Sequence, residues 1–442
     1  MSILIANARV VNEGQIKEQD VMVVNGRIHQ VGNQIAAGER THVIDAKGKT
    51  LMPGMIDDQV HFREPGLIHK ADIESESLAA AVGGITSYME MPNVTPPTTD
   101  REALRDKYAI AQERSYANYA FYLGATNDNI DEIRRIKKNE ACGVKVFMGA
   151  STGNLLVDNH DSLNKIFKDC PLLIATHCED SPMIGENMMK ARAQYGSDVP
   201  IEMHPIIRSA EACYKSSSFA VGMAKEHDTR LHVLHLTTAK EMELFTAGPV
   251  KGKRITAEVC AHHLFFDSDD YAAKGNLIKC NPAIKKPTDR DAIWKALLED
   301  RIDVIATDNA PHLLEEKAEK YDKAPAGLPL VQFALPSLLE HVYNGKLTIE
   351  QLVHKTSHAV AQCYGVSERG YIREGYWADL VLVDMDKHNP IRNEQSLSKC
   401  GWTPFDGYDF HTQITHSIVS GQLILADGEI DRGVSGYRLD FV

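Results

Sequence analysis

Gln59, His61 and Arg63 stand at alternate positions in the stretch Ile56-Asp57-Asp58-Gln59-Val60-His61-Phe62-Arg63-Glu64-Pro65-Gly66. The apolar lead-in from Leu51 to Ile56 reads as a short buried strand, which Pro65-Gly66 ends in a turn. Side chains two apart on a strand share a face, so these three point one way. His61 can ligate a metal, and Arg63 can clamp an anion. A zinc site on this spacing would carry an imidazole at both 59 and 61. Gln59 offers only a carbonyl oxygen, a poorer ligand.

Other reactive side chains interrupt or end later apolar runs: Asn93, Lys145, His177, His235 and Asp308. A lone histidine at a strand end is most often a hydrogen-bonded structural residue. Three of them with a carboxylate are what a catalytic zinc site requires. His204, His227, His232, His341, His354 and His358 are read as ordinary structural histidines, and the adjacent His262-His263 stays outside the ligand set. Lys145 lies in Gly143-Val144-Lys145-Val146-Phe147-Met148, where burial is costly for an ammonium and lowers its pKa. One resolution is a salt bridge to a carboxylate. The other is capture of carbon dioxide by the neutral amine, giving a carbamate able to bridge two divalent ions. With His61, His177, His235 and Asp308 in prospect, we favour the carbamate.

The elements that must position these residues form a repeat. Eight apolar runs occur at 55–60, 85–91, 119–124, 143–148, 172–176, 231–236, 255–260 and 304–307. Helical patterns follow most of them, at 71–82, 101–114, 128–138, 209–225 and 289–299. Alternating strands and helices imply a parallel sheet, and eight repeats a closed (β/α)8 barrel of the TIM type. The polar residues then share one rim, the end of such a barrel where active sites are built. Residues 1–52 read instead as pure β structure, with Asn25-Gly26 as a hairpin turn. That texture returns at 378–383 and 417–425. The expected organisation is a small β-sandwich built from both termini (1–52 and 361–442, the latter with a C-terminal extension) around a barrel at 53–360. Residues 313–329 read as a long loop beside Asp308 and His312, a place where lids occur.

Composition narrows the function. Hydrophobic residues make up 43%, enough for a large core, and the net charge of −13 argues against broad nucleic-acid binding. An anionic small substrate remains compatible, since a pocket's local field decides its binding. The eight scattered cysteines and the absence of a signal-like N-terminus point to free thiols in a reducing cytoplasm. No apolar run is long enough to span a membrane.

Several motifs together resemble the amidohydrolase superfamily and, within it, class I dihydroorotases. They are His61-Phe62-Arg63-Glu64-Pro65-Gly66, Met91-Pro92-Asn93, the Lys145 strand, Thr176-His177-Cys178-Glu179-Asp180, Leu234-His235-Leu236-Thr237-Thr238, Asn281-Pro282 and Ala306-Thr307-Asp308-Asn309-Ala310-Pro311-His312. The resemblance implies two zinc ions per chain, one on His61 and Asp308 and the other on His177 and His235. N6-carboxylysine at Lys145 would bridge them; the stretch 149–154 lacks the aspartate that some relatives use instead. By the same resemblance Asp308 is the catalytic proton carrier, and Arg63, Asn93 and His312, beside His61, clamp a substrate carboxylate. Asn281 and the backbone at Ala326-Gly327 contact the substrate ring.

The implied reaction is reversible cyclisation of N-carbamoyl-L-aspartate to dihydroorotate in pyrimidine synthesis. The implied partners are this small-molecule substrate, a second copy in a homodimer and, in some settings, aspartate transcarbamoylase. Two departures stand out, because relatives carry histidine where this chain has Gln59 and Asn309. Gln59 leaves the first metal less firmly held. The alternatives are a cyclic amidase of the hydantoinase or allantoinase kind, or a catalytically silent homologue acting as a scaffold.

Overall fold

The computed structural model describes residues 2–149 and 153–442. Ala150, Ser151 and Thr152, within the stretch that lacks a bridging aspartate, lie outside the described residues. The first five strands are β1 (Ser2–Asn12), β2 (Gln15–Val24), β3 (Arg27–Gly32), β4 (Thr41–Asp45) and β5 (Thr50–Pro53). The barrel strands are β6 (Met55–Val60), β7 (Ile85–Glu90), β8 (Asn118–Phe121), β9 (Leu123–Gly124), β10 (Val144–Phe147), β11 (Ile174–His177), β12 (Leu231–Val233), β13 (Ile255–Cys260) and β14 (Val304–Ala306). After them come β15 (Leu380–Asp384), the short β16 (Asn389–Pro390) and β17 (Asp409–Phe410), then β18 (Gln413–Val419), β19 (Gln422–Ala426) and β20 (Glu429–Ile430).

Strands β6 to β14 pair in parallel, as β6-β7-β8 and β9-β10-β11-β12-β13-β14. β8 and β9 are two halves of one barrel strand interrupted at Tyr122, so the eight expected strands are all present. The ring closes where the His61 amide donates to the Asn309 carbonyl at 2.7 Å. Every residue of β6 and β7 is buried, as expected of parallel strands covered on both faces.

The helices between strands begin where short polar side chains cap them. Asp72 accepts from the Ser75 amide in a capping box, so the helix starts at Ile73, not at 71. Asp100 caps Arg101–Arg114, Asp180 caps Ser181–Tyr195 and Ser209 caps Ala210–His227. The helix expected at 128–138 is only Ile130–Arg135. Asn129 instead ties the preceding turn, accepting from the Thr126 amide and donating to the Thr99 and Gly124 carbonyls.

Both termini join one mixed sheet in the order β20-β19-β18-β15-β5-β1-β2-β3, with β4 paired to β1. Its apolar side chains, among them Ile3, Val21, Ile44, Leu380 and Ile418, form a core of their own. This β-sandwich domain meets the barrel where β5 runs into β6. A Cβ on the intervening Gly54 would lie 2.2 Å from Thr86 Oγ1, so only glycine fits between sheet and barrel. All eight cysteines are free, and among the described residues no helix is long and apolar enough to cross a membrane.

Candidate active site

The C-terminal ends of the barrel strands enclose a cavity of about 90 Å³. β6 brings Gln59 and the turn after it His61 and Arg63; Lys145 and His177 come from β10 and β11, and Asn93 and His235 from just past the ends of β7 and β12. Asn281, Asp308, Ala326 and Gly327 complete the wall, with Phe147 as an unforeseen apolar member. His312 stands just behind, against Arg63. The residues singled out from sequence thus converge on one site from positions up to 268 apart in the chain (59 to 327). Arg63, His235 and Asp308 have left-handed backbone, with φ of 71°, 39° and 52°. That region is unfavourable for side chains other than glycine and recurs at functional sites.

His177 and His235 make the better defined ligand pair. His177 Nε2 donates to Glu179 Oε2 at 2.8 Å, leaving a lone pair on Nδ1, which lies 2.9 Å from His235 Nε2. The His235 Nδ1 atom is buried without a partner. Burial lowers the pKa of both imidazoles, His235 well below its ordinary value. Neutral rings present lone pairs, and a carboxylate behind a histidine is how metal-ligating rings are oriented. Arg208 also pairs with Glu179. Burial alone would raise the Glu179 pKa, but Arg208 and His177 hold it at about 2, so it remains an acceptor. The donor chemistry here fits a divalent metal.

The other pair is weaker. His61 Nε2 lies 3.0 Å from Asp308 Oδ1, and its Nδ1 lies 2.7 Å from Asn93 Oδ1. Gln59 does not offer its carbonyl. Its Nε2 donates to Asp308 Oδ1 at 3.1 Å, while its Oε1 takes a weak contact from the Cys260 thiol at 3.8 Å. At this position two residues can give lone pairs, and the third gives a hydrogen. Asn309 is turned away altogether. It donates to Glu76 and accepts from the Leu330 and Val331 amides, tying the strand end to the next loop.

Lys145 is 1% exposed, and burial lowers its pKa to about 8. Its ammonium lies 4.6 Å from the centre of the Phe147 ring. Among the described residues no carboxylate forms an ion pair with it, so the salt-bridge alternative finds no partner there.

Arg63 donates Nε to the Pro311 carbonyl at 3.1 Å, and burial lowers its pKa to about 10. Lys70, which can only donate, lies 3.0 Å from His312 Nδ1, and the Ala326 carbonyl lies 3.1 Å from His312 Nε2. Nε2 therefore carries the ring proton. It has no lone pair for the Arg63 Nη2 3.0 Å away, and that edge of the guanidinium is left for an anion. The neighbouring loop is packed and not merely solvated. Lys317, 2% exposed, donates to the carbonyls of Lys279, Pro325 and Gly327.

Sequence reasoning missed the acids that hold this arrangement. Asp57 accepts from the Thr307 amide and hydroxyl and locks β6 to β14 beneath Asp308. Glu258 accepts from the His235 amide at 2.9 Å. Glu179 lay in a quoted motif, two residues after His177, and that spacing was the available signal. Asp57 and Glu258 carry none, because their partners are remote in sequence. Of the histidines set aside, His204 bonds Tyr321 and the Cys280 carbonyl, and His263 bonds the Pro282 carbonyl.

Comparison with known proteins identifies the family. The sequence profile described as the amidohydrolase family matches residues 50–424. The chain is 32% identical to a dihydroorotase of Pyrococcus furiosus over 94% of its length and 91% of the relative's. It is 32% identical to one of Methanosarcina mazei over 92% and 90%. Among solved structures, an L-hydantoinase (dihydropyrimidinase) from Arthrobacter aurescens superposes with a TM-score of 0.92 at 27% identity, covering 99% of each chain.

Proposed function

From the premise that the chain belongs to the amidohydrolase family and is a hydrolase acting on cyclic amides, we propose that it is a dihydroorotase. Its reaction is the reversible cyclisation of N-carbamoyl-L-aspartate to dihydroorotate with loss of water, in pyrimidine synthesis. The observation that carries this reading is the free edge of the Arg63 guanidinium beside Asn93 and His312. A hydantoin ring has no carboxylate to put there, whereas dihydroorotate does. The sequence similarity to dihydroorotases supports the same choice against the hydantoinase fold likeness.

His177 and His235 would hold a zinc ion with Lys145, and His61 and Asp308 a second, more weakly. Such a metal supplies a nucleophile from water at neutral pH and polarises the amide carbonyl. Lys145, once its neutral amine had added carbon dioxide as N6-carboxylysine, would offer carboxylate oxygens as further ligands. Gln59 donates to Asp308 Oδ1, so Oδ2 is the oxygen that would carry the proton taken from water and deliver it to the leaving ring nitrogen. Arg63, Asn93 and His312 hold the substrate carboxylate, while Asn281, whose Oδ1 is buried without a partner, and the Ala326-Gly327 backbone hold the ring. The reading carries with it a cytoplasmic homodimer able to associate with aspartate transcarbamoylase.

The test is turnover by zinc-replete, bicarbonate-treated protein. Hydrolysis of dihydroorotate and its formation from N-carbamoyl-aspartate are expected. Activity on hydantoin or allantoin with none on dihydroorotate would make the protein a different cyclic amidase. No turnover at all, with stable binding to aspartate transcarbamoylase, would make it a scaffold.

A further inference from the structure

Below the cavity, inside the barrel, Asp58, His232 and Glu258 converge with no exposure to solvent. His232 Nε2 lies 3.2 Å from Asp58 Oδ2 and 3.4 Å from Glu258 Oε2, and the three donor atoms lie within 4.8 Å of one another. Four buried atoms at this point have no hydrogen-bond partner: both carboxylate oxygens of Asp58, Glu258 Oε2 and His232 Nε2. Buried polar atoms are nearly always satisfied, and four such orphans facing one another need an explanation.

The tautomer of His232 sharpens it. Thr256 Oγ1 donates to the Leu231 carbonyl at 3.3 Å, so it accepts from His232 Nδ1 at 2.7 Å. Nδ1 thus bears a proton, and in the neutral ring Nε2 aims a lone pair at two carboxylates. The neighbouring acids favour an additional proton on Nε2, which would supply one positive charge for two buried carboxyl groups, of which Glu258 is pushed up to about 7 by burial and by Asp58. Among the described residues no lysine or arginine forms an ion pair with either acid. A divalent cation balances both. Ligands about 2.0–2.2 Å from zinc in tetrahedral geometry stand roughly 3.3–3.5 Å apart, close to the two separations found.

We propose that Asp58, His232 and Glu258 form a structural site for a divalent cation of the zinc type, distinct from the metal position at the mouth. Asp58 supplies both oxygens, and Thr256 orients the imidazole as metal-bound histidines require. The ion ties β6, β12 and β13 together immediately below the residues facing the cavity. Asp58 precedes Gln59, and the second oxygen of Glu258 accepts the His235 amide.

The test uses the full-length protein saturated with zinc and dialysed, with zinc counted per chain by mass spectrometry and located in crystals by anomalous scattering at the zinc edge. An anomalous peak enclosed by Asp58, His232 and Glu258 is expected. Asp58→Asn should lose about one zinc per chain, His177→Asn a different one, and the double variant both. No peak among the three residues, or an unchanged zinc count in Asp58→Asn, would overturn the proposal in favour of a protonated His232. Should Asp58→Asn fail to fold, the anomalous map of the unmodified protein decides. A peak there with none at the mouth would remove the catalytic metal reading and leave this site standing.

Discussion

Gln59 donates its side-chain amide to Asp308 across 3.1 Å, joining residues 249 positions apart in the chain. That bond puts a hydrogen where a metal ligand would put a lone pair, and it occupies the same Asp308 oxygen that faces His61. Gln59→His should therefore raise the zinc content by up to one ion per chain and alter the turnover rate. Metal analysis of both proteins at equal free zinc checks this; an unchanged count would mean that His61 and Asp308 already hold their ion unaided.

Lys145 loses its proton at about pH 8 because burial disfavours the ammonium. Only the neutral amine adds carbon dioxide, so carboxylation and metal retention should rise with pH through this range and with added bicarbonate. The lowered pKa also has a stability consequence for the unmodified chain. The folded state binds fewer protons than the unfolded one between about pH 8 and the ordinary lysine value, so stability gains as pH rises through that window. Intact mass with and without bicarbonate, followed by metal analysis, tests the first statement. A Lys145→Ala variant that keeps its full zinc content and activity would refute the bridging role.

Glu179 holds His177 by the nitrogen that faces away from the cavity, at 2.8 Å. Glu179→Gln keeps the size but loses the charge, and outer partners of metal ligands are worth about 10- to 100-fold in metal affinity. A loss of that order should be seen in competition with a chelator, together with a weakened Arg208 contact.

Arg63 presents a planar pair of donors that lysine cannot copy. Arg63→Lys should raise KM for dihydroorotate by ~10-fold or more with a smaller change in kcat, because a bidentate charged contact is lost. Steady-state kinetics check this. Equal loss on a substrate without a carboxylate would show that Arg63 supports the fold and not the clamp.

Gly327 has φ of +144°, and a Cβ there would lie 2.4 Å from the Ala310 carbonyl oxygen and 2.9 Å from His312 Cδ2. Gly327→Ala should cost about 1–3 kcal/mol in stability. It should also weaken substrate binding, by pushing His312 and the 326–327 backbone apart. Thermal melts and KM read the two effects separately.

Much of this protein was legible in its residue order. The runs at 55–60 and 255–260 match β6 and β13 end to end, although Asp57, Asp58, Gln59 and Glu258 within them are buried polar residues whose partners the residue order does not show. The alternation of Gln59, His61 and Arg63 was readable too, but β6 ends at Val60 and Arg63 takes left-handed backbone, so the turn after the strand and not its period of two aims the guanidinium. Strand ends in a parallel barrel share a rim, so His177, His235 and Asp308 could be brought together from spacing alone. What Gln59 does was not decided there, since its amide can present oxygen or nitrogen and only the position of Asp308 chooses. Asn309 likewise turned from the site because Glu76 and the 330–331 amides satisfy it. His232 read as an ordinary histidine, and Asp58 was given no role. Their meeting with Glu258 depends on the closure of the barrel, which brings β6, β12 and β13 to one point and excludes the water that would otherwise have satisfied all three.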